Sequence, residues 1–180
     1  MKSKVNAEVI IHDDRWLEAV DFDVFKVTEE LKDLAFGYVE DVYSEGKHEF
    51  LSVGYKLNVN VCLSNDEEVH QLNKEFRGID KATNVLSFAE IDGDLYEQLK
   101  NGSEADLGEI VLAFETLQKE ASLKNITVYA HFCHLLVHGF LHLLGFDHQE
   151  DEDAEIMEGL EAEILEAFSI DNPYDDGEAK

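Results

Sequence analysis

Residues 128–144 constrain this chain more than any other stretch. They read as one long, strongly apolar helix, and a helix apolar over most of its circumference has to lie inside the fold. Leu135, Leu136, Leu141, Leu143 and Leu144 are its core residues, and Gly145 supplies a residue able to end it in the left-handed conformation. Imidazoles interrupt this run. His138 and His142 stand four apart, so both project from one face. Gly145 lets the chain turn sharply, and His148 then swings back toward the same point. Three neutral nitrogen donors with an open fourth position are the arrangement of a catalytic zinc site; a closed structural site needs a fourth ligand, and no cysteine is suitably placed. A single histidine on such a face is more often a satisfied core residue, but three at these offsets, with glycine at the turn, form a ligand pattern.

The spacing is shared with the metzincin proteases, His-Glu-x-x-His-x-x-Gly-x-x-His, where the glutamate is the general base. Here that position is Gly139. Glycine cannot accept a proton, so the peptidase reading loses its base.

The rest of the chain reads as a single α+β domain over residues 1–172, with a frayed tail over 173–180. Strands are expected at 5–11, 57–63, 85–88 and 108–114, forming a small mixed four-stranded sheet. About five helices are expected: 22–43, one beginning after a Ser64–Glu67 capping box and ending near Gly78, 115–123, the ligand helix, and 151–168 with Ile156, Met157, Leu160, Ile164 and Phe168 on its apolar face. Gly46-Lys47-His48 reads as a turn, and 90–106 as a polar excursion between two strands.

Composition narrows the setting. The two cysteines, Cys62 and Cys133, form no close pair, which excludes a disulfide framework and fits reduced thiols in the cytoplasm. Nothing approaches the roughly 20 apolar residues of a bilayer span, so no membrane partner is expected. The net charge of -27 repels free nucleic acid at long range, which any nucleic-acid reading has to answer.

Residues 138–148, His-Gly-Phe-Leu-His-Leu-Leu-Gly-Phe-Asp-His, resemble the signature of the YbeY family, metal-dependent endoribonucleases of ribosomal RNA maturation. Residues 72–88, 107–111, 150–152 and 157–165 and the Pro173-Tyr174 ending resemble further family blocks, in family order. Ala82 stands where the family usually has proline, and 90–106 is longer than the family leads one to expect.

The resemblance implies His138, His142 and His148 as ligands of one Zn2+ per chain, although three imidazoles also accept other divalent transition metals. It implies Arg77 as the catalytic arginine clamping phosphate, with single-stranded ribosomal RNA as substrate in 16S 3′-end maturation and ribosome quality control. The small ribosomal subunit and its assembly factors are the implied partners. Lys74 and Lys81 flank Arg77, and His131 and His134 share the helical stripe of His138; these four are candidates for substrate contact. Asp147 is a candidate for orienting a ligand imidazole or for stabilising the turn. His12, His48 and His70 are assigned nothing, and Ser87 is read as structural or backbone-positioning. The alternative is a non-catalytic ribosome-assembly factor with a structural metal.

Overall fold

Leu57, Val59, Val61 and Leu63 alternate with polar neighbours, and this period of two buries one face of β2 (Lys56–Ser64). The computed structural model describes residues 1–43 and 45–175. The other strands are β1 (Lys4–Ile11), β3 (Val85–Ala89) and β4 (Glu104–Ala113), in the order β1-β2-β4-β3. β1 and β4 run parallel to β2, and β3 runs antiparallel to β4, so the sheet is mixed and four-stranded as expected.

A bulge in β4 changes which face its side chains take. Asn58 pairs with Asp106 and Val59 with Gly108, leaving Leu107 extra. Ala105 and Leu107 before the bulge therefore share the main core with Ile110 and Leu112 after it. Val111 and Ala113 face the other side, with Cys62, Val69 and Leu86. Only glycine fits at the bulge: a Cβ on Gly108 would lie 2.1 Å from the Phe88 carbonyl oxygen.

The helices are α1 (Arg15–Glu18), α2 (Val24–Val42), α3 (Asp66–Arg77), α4 (Leu95–Asn101), α5 (Phe114–Lys124), α6 (Val128–Leu143) and α7 (Asp151–Ala167), with a 3₁₀ helix at Gly46–Ser52. That makes eight helical segments among the described residues, against about five expected. α1, α4 and the 3₁₀ segment are too short to show a period. α4 lies within the expected excursion between β3 and β4 and anchors on buried Leu95 and Leu99. The cap of α3 is also shifted by one from the expected box. Ser64 still belongs to β2, the Asn65 side chain accepts the Glu68 N–H at 2.9 Å, and the Ser64 hydroxyl donates to Glu68 at 2.7 Å. On α7, Ile156 is exposed rather than buried, and Leu165 joins the core. The tail expected to fray is held at Tyr174, whose hydroxyl donates to Glu161; residues 176–180 lie outside the described residues. Among the described residues no single helix is long and apolar enough to cross a membrane.

α6 lies at the centre, against β3 and β4 on one side and α2, α5 and α7 on the others. Its close approach to the sheet is set by Gly139. A Cβ there would meet Ile110 Cδ1 and Cγ2, each at 2.9 Å. This is the position of the metzincin glutamate, and it faces the sheet interior.

Gly139→Ala gains about 1 kcal/mol of helix propensity but overpacks Ile110, at about 1–3 kcal/mol. A net loss of stability is expected, read as a lower Tm by calorimetry and partly recovered when Ile110→Val removes a methyl. A raised Tm would show that the approach tolerates a side chain.

Candidate metal centre

α6 delivers His138 and His142 one turn apart, and the end of the helix brings in His148. The Phe146 N–H bonds the Leu141 carbonyl at 3.1 Å and the Gly145 N–H bonds that of His142 at 2.9 Å. With Gly145 at φ 87°, this is a Schellman ending, which reverses the chain within a few residues. His48 secures the turn: buried and stacked on Phe146, its Nε2–H donates to the Leu144 carbonyl at 2.7 Å. The Asp147 carboxylate accepts the His148 N–H at 2.6 Å. Of its two anticipated roles, Asp147 therefore takes the turn.

The His148 ring then sits 5.2 Å from that of His138 and 5.1 Å from that of His142, centre to centre. One ligand nitrogen from each of the three lies within 4.8 Å of the others. His138 and His142 face each other through their Nε2 atoms at 3.0 Å. A zinc–nitrogen bond of about 2.05 Å puts tetrahedral ligand nitrogens about 3.3 Å apart, so the donor set fits such an ion with small adjustment.

Protonation favours the same conclusion. His138 Nδ1 lies 2.6 Å from Glu161 Oε1, and an ionised carboxylate only accepts, so Nδ1 carries the proton and Nε2 offers its lone pair. Burial, then the charges of His138 and His148, push the His142 pKa down to about 4. It is thus neutral at pH 7, as a metal ligand must be. Two lone pairs facing each other at 3.0 Å repel unless a proton or a cation lies between them.

Glu161 is the functional residue that sequence reasoning missed. It is fully buried on α7. Burial alone would raise its pKa, but hydrogen bonds with His134, His138 and Tyr174 outweigh that and hold it at about 2. It is the carboxylate that orients the His138 imidazole. Its signal was present, since it stands four residues after Met157 and three before Ile164, a charge inside an apolar stripe.

The other candidates separate. Arg77, at the C-terminus of α3, lines the same cleft of about 750 Å³ as the three histidines. Its guanidinium donates to the Ser87 carbonyl at 2.7 Å and lies over the Phe88 ring, so Ser87 does position it through its backbone. Lys74 and Lys81 do not line the cleft: Lys74 approaches Asp80, and Lys81 offers its carbonyl to Asn73. His131 cannot meet substrate as expected. It is fully buried, with Nε2 2.8 Å from Glu120 under α5. His134 is buried too, 3.2 Å from the Tyr174 hydroxyl and 3.5 Å from Glu161, behind the triad rather than in front of it.

Replacing Glu161 by Gln removes the ionised partner of His138 at nearly constant shape. Metal affinity of the triad is expected to fall about 10- to 100-fold, by competition with a chelator. Unchanged affinity would leave Glu161 a purely structural group.

The sequence profile of the family described as Endoribonuclease YbeY matches residues 25–169. An Endoribonuclease YbeY of Sphingopyxis alaskensis is 50% identical over 122 residues, covering 67% of this chain and 73% of its own. That of a Wolbachia strain is 40% identical over 158 residues, covering 88% of this chain and 92% of its own. A solution structure of a Thermotoga maritima protein shares the fold, with a TM-score of 0.51 and 24% identity over 98% of each chain. On its profile match and on these relatives, the chain belongs to the YbeY endoribonuclease family.

Proposed function

We propose that this protein is a zinc-dependent endoribonuclease that hydrolyses phosphodiesters of single-stranded ribosomal RNA, acting in the cytoplasm in 16S 3′-end maturation and ribosome quality control. The observation that carries this reading is the shared cleft: Arg77 and the three histidines converge on one solvent-open space. When bound, a divalent ion there supplies a Lewis acid for a phosphoryl oxygen and lowers the pKa of water. His138, His142 and His148 hold it and leave a coordination position open, which favours catalysis over a closed structural site.

Arg77 has one arm on the Ser87 carbonyl, and its planar fork keeps further N–H donors for a phosphate and its developing charge. Phe76, 60% exposed, and Phe88 line the same cleft and offer ring faces to unpaired bases. Glu90, Asp92 and Asp147 also line it, and Arg77 is its one Lys or Arg among the described residues. A phosphate therefore needs the metal's charge to approach. The net charge of -27 points the same way on a larger scale: substrate is delivered rather than captured, with the acidic surface docking on basic proteins of the small ribosomal subunit and its assembly factors.

The test is cleavage of a single-stranded ribosomal RNA fragment, with metal content measured alongside. Arg77→Ala is expected to keep the metal and lose about 10²–10³-fold in rate. His142→Ala is expected to hold one metal fewer than wild type and to lose cleavage. A metal-loaded wild type that fails to cleave, even with small subunits present, would favour the assembly-factor reading.

A further inference from the structure

A second group of metal-type donors lies away from the cleft. His12 follows β1, Cys62 sits in β2, and Glu68 is in the first turn of α3. His12 Nδ1 lies 2.7 Å from Glu68 Oε1 and 3.2 Å from Cys62 Sγ, and Sγ lies 3.9 Å from Oε1. None of the three lines the histidine cleft. Along α3, Glu68 and Arg77 are nine residues, or about 14 Å, apart.

The scaffold fixes all three. The His12 N–H bonds the Leu63 carbonyl at 2.9 Å, Cys62 pairs with Ile10 and Val111, and the Glu68 N–H is capped by Asn65. The place is the carboxyl end of two parallel strands beside the N-terminus of α3. Protons satisfy the trio poorly. The His12 Nδ1–H donates to Glu68 Oε1, which also accepts the Ser64 hydroxyl, and the Cys62 thiol reaches that oxygen only at 3.9 Å. Nor is this a thiolate nucleophile: burial, then Glu68 and Glu109, push the Cys62 thiol up to about 12. One positive centre answers all three donors. Zinc bonds of about 2.0–2.3 Å put tetrahedral S, N and O ligands about 3.4–3.6 Å apart, so each observed separation changes by well under 1 Å. The His12 and Glu68 side chains are partly exposed, and Glu68 keeps a second carboxylate oxygen beside the one that accepts the Ser64 hydroxyl, so that change is open to them, and they leave a fourth position open to water.

We propose that His12, Cys62 and Glu68 form a second site for a zinc-class divalent cation, separate from the three-histidine centre. Binding releases the Cys62 thiol proton to solvent and leaves the imidazole proton of His12 on Nε2, so that the thiolate sulfur and Nδ1 both become ligands. The ion then ties the ends of β1 and β2 to α3, the helix that carries Arg77.

Co(II) titration separates the two sites, because the histidine triad contains no sulfur. A near-ultraviolet thiolate-to-Co(II) band is expected in wild type, with two ions per chain. The His138→Ala/His142→Ala variant is expected to keep the band and one ion. Cys62→Ser is expected to lose the band and keep one ion, with folding checked by circular dichroism. His12→Ala, at a half-exposed position, is expected to weaken the band-forming site at least 10-fold, and Cys133→Ala to leave it unchanged. One ion in wild type and none in the double variant, or no band at saturating Co(II) with Cys62 reduced, would overturn the proposal.

Discussion

The contact of Gly139 with Ile110 sets the geometry on which the rest depends. A strongly apolar helix gains most by burial on every side, yet this one must present imidazoles to solvent-accessible chemistry. The conflict is resolved along the helix. Its flank at Gly139 lies against the Ile110 side chain of β4 with none of its own between, while His138 and His142 line the cleft. His138 and His142 thus stand on a largely buried helix, which holds their mutual geometry better than a loop would. Of the three, His148 alone comes from a loop, and that loop is held by a Schellman ending, the His48 bond to the Leu144 carbonyl and the Asp147 bond to the His148 N–H.

Behind the ligands the protein places a charge rather than grease. Burying the Glu161 carboxylate is costly unless its lone pairs are met, and His138, His134 and Tyr174 meet them. Tyr174 comes from the chain's C-terminal segment, beyond α7, so that segment is part of the centre's support. Burial, then the bond to Glu161, pushes the Tyr174 pKa up, keeping its proton on the phenol where the carboxylate needs a donor. His134 thereby gains a role different from the one its position suggested: it faces the carboxylate, not the substrate.

How far this was legible follows from the kind of signal each residue gives. The three-histidine cluster was readable because it is marked by residue type and spacing together, and because a helix converts an offset of four into a shared face. The long helices and the strands showed their periods, with the antiparallel β3 completing a sheet whose mixed character was expected. Glu161 was missed because sequence reading looked for hydrophobic members of the α7 stripe, and a buried charge imitates an exposed one until its partners are known. His131 misled for the opposite reason. It shares the stripe of His138, but α5 lies over it, and no local pattern announces a covering helix. The helices α1 and α4 are shorter than the window that makes a period visible, and the bulge at Gly108 hides in a strand whose parity it inverts.

The arginine poses a separate problem, because it stands on a different helix from the metal ligands. Its position relative to them depends on how α3 is held. At the N-terminus α3 and α5 cap each other: Asp66 accepts from the Thr116 N–H and hydroxyl at 3.0 and 2.9 Å, and Glu115 accepts the Asp66 N–H at 3.1 Å. Each helix thus satisfies an orphan donor of the other and puts a carboxylate at the positive end of its dipole. α5 in turn packs against α6, so the register of α3 is referred back to the ligand helix. At its other end, Arg77 fastens to the Ser87 carbonyl on β3, which also contacts α6. Both ends of α3 are therefore measured from the same element. Arg77 and the three histidines, which line one cleft, keep their separation because a single buried helix is the reference for both.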